Sequence, residues 1–265
     1  MYLNSDICNL ITSFIYKPKY KLLDWIDIKK LNWKKISTNI HAIDLLKENP
    51  NKIYWSVLSA NPNTIELLKE NQEKINWNYL SINPNPFAIK LLESNINKIN
   101  WLKLSKNSGA INLLNKNKDK INWCYLSSNP NAIDLLKENE DKIDWYSLSE
   151  NTNAIELLKA NQNKINWSKL SKNSNAVDLL EKNQNKINWS YLSLNPNAME
   201  LLEKNQQKIN WSYLSLNPNA IELLKNNQNK IDWFILSQNE AIFTLYKDND
   251  IINLIDKSIN IYFTN

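Results

Sequence analysis

The chain has one glycine, one histidine and two cysteines in 265 residues. No stretch approaches the run of about 18 apolar residues that a membrane helix needs. Each scarcity removes a class of protein. With a single glycine, Gly109, there is no glycine-rich phosphate loop. With His41 alone, neither a conventional zinc cage nor a histidine-dependent nucleophile can be assembled in the interior of the chain. Cys8 and Cys124 lie far apart and fit a reducing compartment, as small buried or half-buried side chains rather than a disulfide framework. The opening Met1-Tyr2-Leu3-Asn4-Ser5-Asp6 lacks the basic region and apolar stretch of a signal peptide. No carboxylate cluster stands out, so enzymatic activity, a metal and a cofactor are not expected.

What the chain does have is rhythm. Ten of its eleven tryptophans, from Trp33 to Trp233, recur with eight intervals of 22 residues and one of 24. A fixed period in this range marks stacked supersecondary units, each packed mainly on its neighbours. One continuous repeat domain follows. The hydrophobic share of 43% is placed periodically, so the chain should fold.

The unit around Trp211 reads Lys-Ile-Asn-Trp-Ser-Tyr-Leu-Ser-Leu-Asn-Pro-Asn-Ala-Ile-Glu-Leu-Leu-Lys-Asn-Asn over 208–227. A first short helix starts at Asn210 as N-cap, with Ile209 and Leu214 as a staple. Trp211 and Leu214, three apart, share its inward side. Asn217-Pro218 stops it after about six residues, a length that suits 3₁₀ geometry and depends on stacking. A second, longer helix is expected to open at Asn219 with Glu222 completing a capping box, and to close at Asn227 in a left-handed cap. The expected fold is therefore all-α: a right-handed solenoid of about ten such units over 31–247, with helical caps at 1–30 and 248–265.

Three rival repeat architectures fit the pattern less well. Ankyrin and tetratricopeptide arrays have periods of 33 and 34. A leucine-rich horseshoe needs an apolar residue two places after the leucine, where this chain has Lys106, Glu150 and Lys172. The alternation of very short helix, Asn-Pro-Asn and longer helix resembles leucine-rich variant solenoids. The fuller pattern Lys-Ile-Asn/Asp-Trp-x-x-Leu-Ser-x-Asn-Pro-Asn-Ala-Ile-x-Leu-Leu, over about 25–247, resembles repeats of uncharacterised proteins from giant DNA viruses of the mimivirus type. That resemblance implies a viral product in the host cytoplasm, a virion or a viral factory, and supplies no catalytic residues. The run from Leu3 to Ile15 faintly resembles the first helix of an F-box, which would imply recruitment of host machinery.

Equivalent positions form rows. The invariant Ser row (Ser37 to Ser237) and Asn row (Asn39 to Asn239) read as structural ladders. A Lys row, Lys30 to Lys230, precedes each Trp and is expected to run beside an acid row that includes Glu66, Glu156 and Glu222. This interleaving, on a formal charge of only +5, argues against a nucleic-acid footprint. The variable place two residues after each Trp holds Tyr79, Lys103, Tyr125, Lys169, Tyr191 and Tyr213, aromatic and basic groups suited to an interface. These are the candidate partner-binding residues. The leading expectation is a scaffold that binds another protein, host or viral, with no membrane contact; single-stranded nucleic acid along the Lys/Tyr rows is the alternative.

Overall fold

The computed structural model describes residues 19–246, and they form the expected all-α repeat of ten units, numbered here 1 to 10 from Trp33 to Trp233. An interior unit such as unit 6 opens on a 3₁₀ turn at Glu140–Lys142, followed by an α-helix at Trp145–Leu148, a 3₁₀ turn at Thr152–Ala154 and an α-helix at Ile155–Ala160; the next 3₁₀ turn, Gln162–Lys164, opens unit 7. The first helix is thus α, and the 3₁₀ turns flank the second. None of these pieces could persist alone, because one or two turns do not repay helix nucleation.

Their stability comes from what lies between them. Leu148 and Leu158 are completely buried, as are their counterparts in other units. Ser149 and Asn151 are just as deeply buried. The Asn151 side-chain amide donates to the carbonyls of Ser127 (3.0 Å) and Asn129 (2.9 Å) in unit 5, while its oxygen accepts from Asn153 N–H. The Ser149 hydroxyl donates to Trp145 O and accepts from Asn166 N–H of unit 7. Among the described residues no buried side-chain polar atom lacks a partner. The Ser and Asn rows are therefore the ladders that the pattern suggested, each rung joining two units.

Helix ends differ from expectation. Asn210 does cap the first helix, accepting from Tyr213 N–H. Asn219, however, does not cap the second: Asn217 caps the 3₁₀ turn before it, and the Asn219 amide reaches back to Pro196 O of the preceding unit. No capping box forms, because Asn219 lies inside the 3₁₀ turn Pro218–Ala220 that Asn217 caps. Asn227 is not left-handed either (φ −133°). Its amide donates to Leu223 O four residues back, which satisfies the helix end without a positive φ.

The ladder has no last rung. Asn39 of unit 1 donates to Ser237 O and Asn239 O of unit 10, as Asn61 does to Ser37 O and Asn39 O. Asn32 N–H bonds to Ser237 Oγ at 2.8 Å, and Lys30 lies over Trp233 as Lys52 lies over Trp33. Unit 1 therefore occupies the place that an eleventh unit would take after unit 10. A head-to-tail contact closes when its rotations sum to a full turn, here about 36° per unit. The two end faces of the described residues thus cover each other. Of the expected caps at 1–30 and 248–265, residues 1–18, with the F-box-like run and Cys8, and all of 248–265 lie outside the described residues.

Unit 10 supplies a strand where the others have a second helix. The strand β1 (Lys19–Leu22) pairs antiparallel with β2 (Phe243–Tyr246), with Leu22 opposite Phe243. Asp44 accepts from Tyr20 N–H, and Tyr20 stacks on His41 with ring centroids 4.1 Å apart. The off-beat Trp25 packs edge-on against Trp233 at 6.4 Å. His41, isolated in the sequence, is a seam residue whose ring nitrogen bonds Glu240 O.

The two-residue insertion Pro86-Phe87 lengthens the second helix of unit 3 to Pro86–Glu93. It also explains Gly109. In neighbouring units this position holds an asparagine that bridges back, as Asn131 does to Ser108 O. At Gly109 the Pro84 carbonyl comes so near that a Cβ would sit 2.5 Å from it. Restoring the repeat residue, Gly109→Asn, should therefore destabilise the protein by about 1–3 kcal/mol through overpacking, measurable by urea unfolding. An unchanged midpoint would contradict this steric account.

Candidate protein-binding face

The Trp row forms neither a free ligand row nor a fully buried core. Each ring is half-buried against the core, and in nine of the ten described pairings the lysine of the next unit lies over it, as Lys164 does over Trp145 at 4.3 Å. Such a contact is worth roughly 0.5–1 kcal/mol at an exposed site. The Lys row is thus engaged in stacking. The acid row does not pair with it: Glu66 and Glu156 bind Lys69 and Lys159 on their own helices.

Charge and aromatic groups instead gather around the rows two and five places after each Trp. Lys106, five after Trp101, lies 3.8 Å from Glu150 of unit 6, reaching past the whole of unit 5. With helices packed about 10 Å apart, two units would stand about 20 Å apart, beyond the reach of these stems. Units converge enough only on the inside of the ring, so this row lines the inner wall.

Glu150 also receives Lys169 (3.1 Å) and Lys172 (3.8 Å), and its side chain is only 13% exposed. Burial alone would raise its pKa, but the ammoniums of Lys172, Lys169 and Lys106 outweigh burial and hold it below the ordinary value. Burial likewise works against the Lys169 charge, whereas the bond and charge of Glu150, aided by Tyr146 and Tyr191, raise its pKa.

The carboxylate's pKa is lower folded than unfolded. Its contribution is complete above the ordinary 4.5 and is lost as the pH falls through the folded value. Glu150→Gln should thus lower stability by about 1 kcal/mol at pH 7, a modest amount because two of its partners are about half exposed. Thermal melts of the two proteins should converge in acid below pH 4.5. A gap that persists there would mean that the charge is not what stabilises.

The six sequence-derived candidates lie on the same wall. Lys103 sits over Tyr79 at 4.2 Å, and Tyr191 stacks on Tyr213 at 6.0 Å. Lys169 lies near Tyr146 (5.0 Å) and Tyr191 (5.9 Å). Tyr125 is 40% exposed. The structure therefore joins Tyr79 with Lys103 and Lys169 with Tyr191 and Tyr213, and leaves Tyr125 apart from both.

The sequence reading overlooked the row directly after each Trp. Most of its members are small or polar, such as Ser56, Asn78, Ser168, Ser190 and Ser212. Three successive units break that habit with Leu102, Cys124 and Tyr146, all exposed. Cys124 is thus not the buried or half-buried residue expected; its thiol donates to Asp144 at 3.3 Å. Together with Tyr125 these residues place four exposed side chains, largely apolar, on three adjacent units, and Tyr146 meets Lys169 at 5.0 Å. The signal was present in the sequence as a departure from Ser and Asn, but only the ring shows which departures are neighbours.

Among the described residues no group of acidic, His or Cys side chains could hold a metal, and no helix is long and apolar enough to cross a membrane. The chain matches no family model, and no curated protein or solved structure matches it significantly. The face itself therefore carries the functional argument.

Proposed function

We propose that this protein is a non-catalytic repeat scaffold whose first-helix face binds another protein. The all-α repeat fold is consistent with such a role, since surface rows can vary while the Leu, Ser and Asn positions keep the core. The observation that carries the reading is the patch of Leu102, Cys124, Tyr125 and Tyr146 on three adjacent units, bordered by Lys103 and Lys169. Clustered exposed apolar groups with aromatic and basic neighbours are the usual composition of an interface centre.

The finer reading, a host-interaction adaptor or a virion or factory component of a giant virus acting in the host cytoplasm, is supported by the likeness of the repeat alone. Affinity purification from host lysate tests it in three forms: the intact chain, Leu102→Ser with Tyr146→Ser, and a chain lacking residues 1–18. Truncation stops at 18 because β1 and Trp25 hold the seam. A partner recovered equally by all three forms would remove both the patch and the amino-terminal segment as recruiters. Nucleic acid is less well served by this face: Lys103 covers Tyr79, and Tyr191 and Tyr213 face each other, which reduces the ring area open to bases.

A further inference from the structure

Charge is distributed unevenly over this protein. The rows two and five places after each Trp carry Lys35, Lys103, Lys106, Lys169 and Lys172 against one acid, Glu150. Five positive charges less one leaves +4 in these rows, out of a formal +5 for the whole chain. The remainder of the molecule is close to neutral. Four of those lysines fall in units 4 to 7, beside the apolar patch.

Within that sector the lysines outnumber their acceptor. Glu150 is consumed by Lys169 at 3.1 Å, while Lys106 and Lys172 approach only to 3.8 Å and keep side chains 48% and 45% exposed. Their ammoniums retain donors facing solvent. Glu150 thus gathers three positive charges at one place without neutralising them. Tyr146 connects the cluster to the patch, since Lys169 contacts both Tyr146 and Glu150.

We propose that units 4 to 7 recognise an acidic protein segment that also carries apolar side chains. Its carboxylates bind Lys103, Lys106 and Lys172, and an apolar side chain packs on Leu102, Tyr125 and Tyr146. This rests on the protein-binding role above and specifies the partner's chemistry. The electrostatics alone would suit any polyanion. The apolar half of the face decides the class, because Leu102 offers a phosphodiester strand nothing to bond and the Cys124 thiol already donates to Asp144. Complementary charge would guide the encounter and burial of the apolar group would set its lifetime.

Fluorescence anisotropy on the full chain with three labelled probes tests this. The first is a peptide alternating glutamate pairs with leucine and phenylalanine, the second has serine at the apolar places, and the third is an oligothymidylate of equal charge. The first should bind at least about tenfold tighter than the other two. Leu102→Ser with Tyr146→Ser should weaken it about tenfold, and so should Lys106→Glu with Lys172→Glu; Lys225→Glu, on an exposed second-helix position, should leave it unchanged. Melting curves confirm that each variant is folded. Tighter binding of the oligothymidylate, equal binding of the two peptides, indifference to the substitutions or no binding at all would each overturn the proposal. If this chemistry fails while a patch-dependent partner is still recovered from lysate, the scaffold role stands.

Discussion

Replacing Asn39 with alanine should destabilise the protein as much as the same change at Asn151, by about 3 kcal/mol or more. Each side chain makes two donations to carbonyls of the preceding unit and accepts one backbone N–H, at 1% exposure. Alanine would leave those groups buried and unpaired, and a single unsatisfied buried group costs about 1–3 kcal/mol. The equality is the informative part. In an open array Asn39 would belong to the first unit, with no preceding carbonyls to bind, and its loss would be far milder. Urea unfolding of both variants at neutral pH gives the comparison. A markedly smaller effect at Asn39 would show that the ring is open in solution.

Deleting one whole unit, residues 146–167, should have an effect out of proportion to its length. A tenth of an open solenoid could be removed for about a tenth of its stability, because such arrays are sums of local terms. A ring has to close. Nine units would need about 40° each where ten need about 36°, and every Asn rung would have to absorb the difference. The expected result is a chain with unpaired end faces: an earlier and broader unfolding transition, and association into larger species as the ends of different chains find each other. Light scattering after size-exclusion chromatography reads the second effect. A monomer with nearly native stability would mean that the units adapt their rotation freely.

Both results bear on what a closed ring offers a scaffold. An open array needs terminal units that refuse further stacking. Here that duty passes to the contact between units 1 and 10, where Lys35 lies over Phe234 and bonds Gln238. The same arrangement occurs between units 6 and 7, where Lys169 lies over Tyr146 and bonds Glu150. One local device therefore both decorates the proposed binding sector and joins the ends.

Much of the unit is legible in the sequence alone. The Trp beat gave the number of repeats, the N-cap at Asn210 and the Asn-Pro break placed the first helix, and the constancy of Ser and Asn marked them as ladders. These are local features, set by backbone preference and by patterns within 22 residues. The second helix's start was misread because Asn219 has a good capping residue's chemistry but lies inside the 3₁₀ turn that Asn217 caps, where its amide donates to Pro196 O of another unit. The stacking of the lysines was not legible because their partners, the tryptophans, belong to the neighbouring repeat.

The candidate face was legible only in part. Tyr79, Lys103, Tyr125, Lys169, Tyr191 and Tyr213 share a row that periodicity alone identifies. The exposed trio of Leu102, Cys124 and Tyr146 and the convergence of three lysines on Glu150 depend on which units adjoin and how closely. Lys106 reaches Glu150 across 44 positions only because the inner wall contracts.

The sequence by itself determined the unit, its count and its internal bonding, since each follows from side chains within one repeat or the next. Tertiary structure alone decided that the ten units close, that the ends are joined by two four-residue strands, and that the positive charge collects on the inside. The physical reason is accumulation. Closure depends on the sum of small rotations over ten interfaces, and a change of a few degrees in each, invisible in any one repeat, separates a ring from an open spiral.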